Sequence, residues 1–124
     1  MSVPFGIESS VGRLRRVVVR PPDETFAVED PAQWNYASRP DVGVARREHA
    51  RIVEVLESAG ARVELHDRPL AGLADSIFVF DPVLMTAEGA VLLRMGKARR
   101  GAEERALVSR LETLGIPLHG ALEG

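Results

Sequence analysis

Two aspartates flank an apolar run in the sequence DSIFVFDP, at residues 75–82. Carboxylates placed this way can accept hydrogen bonds from a cationic ligand, although Asp-Pro is also common turn chemistry. If residues 76–80 form an extended strand, Asp75 and Asp81 lie about 20 Å apart, at roughly 3.3 Å per residue. That separation excludes a shared proton or metal ion. The even spacing puts both side chains on one face of a regular strand. An elongated ligand, or a bend after the strand, could still involve both.

A basic segment, RMGKARRG at residues 94–101, lies between a predicted strand and a predicted helix. Because guanidinium groups bind carboxylates through two parallel hydrogen bonds, Arg99 or Arg100 could hold the carboxylate of a ligand. A solvated surface loop is the alternative. Glu103 and Glu104 open the following helix, where acidic side chains suit the helix dipole, and no further role is expected for them.

Other common chemistries find little support in the sequence. His49, His66 and His119 lack metal-ligand spacing, and His49 lies on the apolar face of its helix, where a packed core residue is expected. The sequence has no glycine-rich phosphate loop, no nucleophile elbow and no cysteine. It therefore predicts no metal site, no cofactor and no nucleophile–base pair within these residues.

Strands and helices alternate along the predicted elements. Val17–Val19 form a β-branched run that suggests a strand covered on both faces. A long ordered loop from Pro22 to Pro40 follows, and such loops often bind ligands. Asp41 is the expected N-cap of a helix that ends at Gly60. The remaining predictions are strands at 62–66, 76–80, 83–86, 89–94 and 116–120, with a second helix over 102–115.

The two predicted helices look like copies of one unit. When EHARIVEVLESAGARVEL is laid on EERALVSRLETLGIPLHG, Leu56 matches Leu111 and Gly60 matches Gly115. Each helix stands between two strands, so the sequence predicts two strand–helix–strand units, with chance similarity of amphipathic helices as the alternative. Repeat units bury their faces against neighbours, and about three or more are normally needed for stability. The chain is therefore expected to be part of something larger.

Length and composition indicate one globular domain over residues 1–124, with 27% charged and 45% hydrophobic residues and a net charge of −2. No basic stripe suggests nucleic acid, and no apolar segment approaches the roughly 20 residues that span a bilayer. The first residues lack the pattern of a signal peptide, so a cytoplasmic location is expected.

The stretch DSIFVFDPVLMTAEGAVLLRMGKARRGAEE resembles the guanidino-group modifying enzymes, namely dimethylargininases, arginine deiminases and amidinotransferases. VGRLRRVVVRPP, the NY of the loop and the EH of the first helix fit the same pattern. The resemblance implies the pentein fold, an α/β architecture of five strand–helix blades around a polar channel, with about two blades present. It also implies an N-terminal half, because the family's acidic motif, catalytic His and nucleophilic Cys come later in the chain than Gly124.

Carried over by position, the resemblance assigns four binding roles. Asp81 would hydrogen-bond the substrate guanidinium, Asp75 would take the α-amino group, and Phe78 would line the pocket wall. Arg99 or Arg100 would bind the α-carboxylate. Phe80 stands where dimethylargininases have a second acid, and the basic loop is one residue shorter. These departures leave guanidino substrates other than dimethylarginine open.

The mechanism implied is attack of Cys on the guanidinium carbon, loss of an amine and hydrolysis of the covalent intermediate, with His as general acid and base. Since both residues would lie outside residues 1–124, this chain alone is expected to be inactive. A complementary C-terminal half, or self-association, is the expected partner besides an arginine-like small molecule. The alternatives are a free-standing, non-catalytic module that self-associates or binds such a ligand, and a structural domain with surface Asp and Arg residues.

Overall fold

Two strand–helix–strand units, each with a parallel pair of strands, organise the fold. The computed structural model describes residues 5–123. In the first unit, strand β1 (Arg16–Val19) pairs in parallel with β2 (Arg62–Leu65), and helix α1 (Val42–Ser58) connects them. A parallel pair needs such a crossover because the chain must return to the starting edge.

The second unit repeats this arrangement. Strand β4 (Gly89–Leu92) pairs in parallel with β5 (Leu118–Ala121), and helix α2 (Gly101–Thr113) connects them. Strand β3 (Val83–Thr86) pairs with β4 as an antiparallel hairpin, which completes a three-stranded sheet. The predicted pair of strand–helix–strand units is therefore present. The two sheets do not close into a ring within residues 5–123.

The helix boundaries follow from their capping residues. The Asp41 carboxylate accepts a hydrogen bond of 2.9 Å from the Val44 amide, so the predicted N-cap of α1 is confirmed. Gly60 and Gly115 follow the two helices with φ of 91° and 80°. Only glycine adopts this left-handed conformation without strain, which is why both helices end there.

The main core lies under α2. Leu107 and Leu111 on one face of this helix pack with Ala90 of β4 and with Ile116, all four buried. Helix α1 is covered far less: of its predicted apolar stripe, Ile52 is 55% exposed, and His49 is only half-buried. Strand β1 is likewise half-buried rather than covered on both faces.

The predicted strand at residues 76–80 is wrong. Ala74–Ile77 form a 3-10 turn, and the chain continues through bends to Pro82. The carbonyl of Asp75 accepts a bond of 3.0 Å from the Phe78 amide, and the carbonyl of Phe78 accepts one of 3.2 Å from the Asp81 amide. These successive three-residue turns use backbone groups that a strand would need for its ladder.

The aromatic part of this segment is its exposed part. Phe80 is 76% exposed, whereas Ala74, Asp75 and Ser76 are buried. The loop that the sequence placed between Pro22 and Pro40 covers them, since Val28 and Trp34 pack on Ala74. The apolar run thus marks no buried strand.

No helix in residues 5–123 combines the length and apolar character needed to cross a bilayer.

Candidate functional site

Asp75 lies at the centre of a three-residue hydrogen-bonded group. One carboxylate oxygen accepts a bond of 2.6 Å from the Tyr36 hydroxyl, and the other accepts one of 2.7 Å from the Lys97 ammonium. Its side chain is 4% exposed. Burial opposes ionisation, but the bonds from Lys97 and Tyr36 hold the pKa of Asp75 below its usual value. Burial, together with the Asp75 carboxylate, raises the pKa of Tyr36, so this hydroxyl stays a donor.

Arg100 joins the second group of charges. Its Nε and Nη2 donate to the two carboxylate oxygens of Glu103, at 2.7 and 2.8 Å, and Nη1 donates to Asp81 at 2.8 Å. The Arg100 and Glu103 side chains are 7% and 2% exposed. Although burial opposes the charge, the hydrogen bonds that Arg100 donates to Glu103 and Asp81 raise its pKa. The expectation that Glu103 serves only the helix dipole is wrong.

The same guanidinium brings the two aspartates together. While Nη1 of Arg100 holds the Asp81 carboxylate, Nη2 donates to the backbone carbonyl of Asp75 at 3.1 Å. The extended separation expected from the sequence is therefore wrong, because the chain turns between the two residues. Their carboxylates have different partners, and no proton is shared between them.

Asp81 is the carboxylate with room for a ligand. Its side chain is 31% exposed. Only Oδ2 is bonded to Arg100, and Oδ1 accepts no hydrogen bond from residues 5–123. Phe78, which is 39% exposed, stands at the start of the turn that leads to Asp81. A partly exposed carboxylate with an unbonded oxygen suits a planar cation.

Arg99 and Arg100 differ in what they leave available. Nε and Nη2 of Arg100, which could bind a carboxylate through two parallel hydrogen bonds, already donate to Glu103. Arg99 is exposed, donates through Nη1 to the backbone and side-chain oxygens of Gln33 at 3.1 Å, and lies 5.5 Å from the centre of the Trp34 ring. Its Nε and Nη2 make no hydrogen bond within the described region, so Arg99 retains donors for a carboxylate.

Arg20 is a buried residue that holds the turn carrying Asp75, and the sequence analysis did not identify it. It is 4% exposed and donates to the Ser76 hydroxyl at 3.2 Å and to the carbonyls of His66 and Arg68 at 3.3 and 2.7 Å. It thereby ties the ends of β1 and β2 to the turn that carries Asp75. The available signal was an arginine directly after a valine run, where a strand ends.

Lys97, Tyr36 and Glu103 were also missed as site residues. Lys97 and Tyr36 contact a partner more than twenty residues away, and Glu103 buries a charge that was expected to face solvent. Sequence spacing reveals neither feature. The presence of the only tyrosine in a long loop was the one usable hint.

Two cavities lie near these groups, and neither is lined by Asp75 or Asp81. One of about 630 Å³ lies beside Trp34, with Glu24, Glu29 and Asp30 in its wall. The other, of about 690 Å³, is mainly apolar and lies between the N-terminal segment and β1 and β3, with Phe80 at its wall. No cluster of three or more His, Asp or Glu side chains in residues 5–123 is arranged to hold a metal ion.

Solved structures of arginine-modifying enzymes share this fold. A dimethylarginine dimethylaminohydrolase adduct with 4-chloro-2-hydroxymethylpyridine is 22% identical with a TM-score of 0.70, and the match covers 90% of this chain and 41% of that one. A DDAH variant from Pseudomonas aeruginosa complexed with citrulline is 21% identical with a TM-score of 0.72, covering 91% and 43%. An AgrE variant with L-arginine is 21% identical with a TM-score of 0.70, covering 90% and 17%.

An uncharacterized protein from Aeropyrum pernix strain K1 is 34% identical over 113 residues. The match covers 85% of this chain, which spans 41% of the length of that relative. No protein-family model matches the sequence. The resemblance read from the sequence is confirmed at the level of fold: the chain has the fold of part of a dimethylarginine dimethylaminohydrolase.

Proposed function

We propose that this chain is the N-terminal half of a guanidino-group modifying enzyme, either a dimethylargininase-like hydrolase or an amidinotransferase, that acts on arginine-like substrates. The shared fold supports this proposal, as do the citrulline and L-arginine bound to two of the similar structures. The five-bladed propeller implied by the resemblance, the two blades assigned to this chain and its cytoplasmic location remain part of the proposal.

Asp81 is the observation that carries the proposal. Its carboxylate is held by the buried Arg100–Glu103 pair, its side chain is 31% exposed, and Oδ1 accepts no hydrogen bond from residues 5–123. A guanidinium group donates in a planar fork, and a fixed carboxylate is its natural partner. Because Arg100 fixes the direction of Asp81, the carboxylate needs little reorganisation to hold the positive charge of the guanidino group during the reaction.

The other binding roles follow from the same cluster. Phe78, three residues before Asp81, is 39% exposed and would line the pocket wall, and Arg99 provides unbonded donors for a carboxylate. Asp75 was expected to take the α-amino group of the substrate. In that role it would have to release the Lys97 ammonium, since its side chain is only 4% exposed and Lys97 lies against it.

The bond-breaking chemistry would come from outside these residues. The sequence has no cysteine, so the nucleophile would be supplied by a further segment or a complementary chain, together with the general acid–base histidine. Residues 1–124 alone are then expected to bind a guanidino compound weakly and to turn nothing over.

Binding is tested by titrating the isotope-labelled chain with L-arginine and with its analogue 5-guanidinopentanoate, followed by amide chemical shifts. We expect at least one of them to cause saturable shifts at residues 75–81 and 97–100. Asp81→Asn should weaken that binding about tenfold or more, because a charge-assisted hydrogen bond is lost. Asp67→Asn, which alters an exposed carboxylate on another loop, is the matched control. Absence of shifts with both compounds refutes the proposal.

A self-associating module without catalysis is the second candidate. The apolar cavity of about 690 Å³ and the exposed Phe80 and Leu84 beside it favour this reading, because such surfaces are commonly covered by a partner. Light-scattering mass separates the two candidates: a stable symmetric oligomer supports the module. A chain that gains turnover only when a complementary half is added supports the enzyme.

A further inference from the structure

The Lys97 ammonium is bonded to the Asp75 carboxylate, which is the acceptor that a ligand's α-amino group would need. Lys97 Nζ donates to Oδ2 of Asp75 at 2.7 Å, while the Tyr36 hydroxyl donates to Oδ1 at 2.6 Å. With its side chain 4% exposed, Asp75 has no open direction from which a second ammonium could approach. Chemically, Lys97 is an ammonium group built into the chain at this position.

Lys97 nevertheless reaches solvent. Its side chain is 38% exposed, and its second contact, with the backbone carbonyl of Trp34, is long at 3.4 Å. An ammonium has three donors and can turn them among its partners. At least one N–H and the positive charge therefore remain available to an anion at the surface.

Arg99 adds a second cation to the same edge. Both side chains extend from the basic loop to the segment that contains Gln33 and Trp34, where Lys97 contacts one carbonyl and Arg99 the preceding one. Lys97 and Asp75 form an ion pair at 2.7 Å that has no net charge, so Arg99 supplies the net positive charge at this edge. Such an edge attracts a carboxylate and repels an ammonium.

We propose that Lys97 substitutes for the α-ammonium group of the ligand, so that the site selects guanidino carboxylic acids without an α-amino group over arginine. In this arrangement Asp81 receives the guanidinium, and Lys97 with Arg99 receives the carboxylate. The inference rests on the proposed function, because it uses the guanidinium-binding role of Asp81. It specifies the substrate class of that same site.

A pair of ligands that differ by a single group tests the inference. L-Arginine and 5-guanidinopentanoate differ only in the α-amino group, so the ratio of their dissociation constants isolates its effect. By amide chemical-shift titration of the chain, we expect 5-guanidinopentanoate to bind about tenfold more tightly, the size of one charge-assisted contact. This comparison needs no variant and does not depend on how a mutant folds.

Two variants then assign the preference to Lys97. Lys97→Met keeps the length of the side chain without its charge, and it should reduce the preference to about twofold or less, since Asp75 becomes free to accept the α-ammonium. Lys97→Arg keeps the charge and should retain the preference. Amide spectra of both variants report whether the turn at Ala74–Ile77 stays folded.

Each other outcome is decisive. Equal or tighter binding of L-arginine by the unaltered chain overturns the inference and leaves the proposed function standing. A preference that persists in Lys97→Met overturns the role of Lys97. If neither ligand binds, the proposed function itself has failed, and the inference fails with it.

Discussion

Glu103 accepts two parallel hydrogen bonds from Arg100, at 2.7 and 2.8 Å, within the first turn of α2. Both side chains are almost fully withdrawn from water, with exposures of 2% and 7%. The remaining amino group of Arg100 is thereby directed at Asp81. The position of the Asp81 carboxylate thus depends on the buried Arg100–Glu103 ion pair.

Removal of Glu103 should destabilise the fold strongly. In Glu103→Ala, Arg100 remains buried without its main counter-charge, and breaking such a buried pair costs about 3–5 kcal/mol. Urea unfolding followed by circular dichroism measures the loss. Glu112→Ala, at an exposed position of the same helix, should change the free energy of unfolding by less than about 0.5 kcal/mol. A similar, small loss in both variants would contradict the buried pair.

His66 should make stability fall as the solution becomes acidic. Burial, followed by the nearby Arg20, lowers the pKa of His66 from 6.5 to about 4. Its Nδ1 is buried and has no hydrogen-bond partner among residues 5–123, so the folded state favours the neutral ring. The unfolded chain binds the proton more readily between pH 6.5 and pH 4. Stability is therefore complete above pH 6.5 and is lost as the pH falls toward 4, by up to about 3 kcal/mol.

Urea midpoints at intervals from pH 7 to pH 4 test this dependence. His66→Gln removes the titrating ring, and its stability should fall less steeply over this range, whatever its absolute value at pH 7. His49, whose pKa is also lowered by burial, contributes with the same sign in both proteins. The difference between the two slopes is then due to His66, and parallel slopes would refute its assignment. The carboxylate of Asp75 titrates lower, since the hydrogen bonds from Lys97 and Tyr36 hold its pKa below the ordinary value for an aspartate.

Gly89 is expected to tolerate no side chain. It begins β4 with φ of 145°, and a Cβ atom there would collide with the backbone carbonyl of Pro117 before β5. Gly89→Ala should cost on the order of 1–3 kcal/mol through backbone strain, and more if β5 separates from β4. The measurement is thermal unfolding beside Gly96→Ala, where no atom lies within 4 Å of the added carbon. Equal melting temperatures would show that the two strands can move apart without penalty.

Much of the fold could be predicted from local patterns. The valine run of β1, the Asp41 cap of α1, the glycines after both helices and the match between the two helices each act over a few residues. Local patterns of this kind express backbone preferences that hold wherever the segment lies. The family resemblance, confirmed in fold, depended on the same continuous stretches.

The failures lay where burial and long-range pairing decide the outcome. Residues 76–80 look like a buried strand by composition, yet the fold buries Asp75 and exposes Phe80. From the sequence pattern alone, the Asp75 carboxylate is the group whose burial is expected to cost the most free energy. The hydroxyl of Tyr36 and the ammonium of Lys97 remove that cost, and both arrive from distant segments.

The sequence by itself determined which charged residue types stand near the candidate site and which elements carry them. Only the tertiary structure decided their roles. Arg100 is buried and donates to Glu103, Arg99 is exposed and lies over the Trp34 ring, and Lys97 donates to Asp75. The physical reason is that a buried charge is stable only beside an opposite charge or several hydrogen bonds. Which partners meet is set by the packing of loops that lie far apart in the chain.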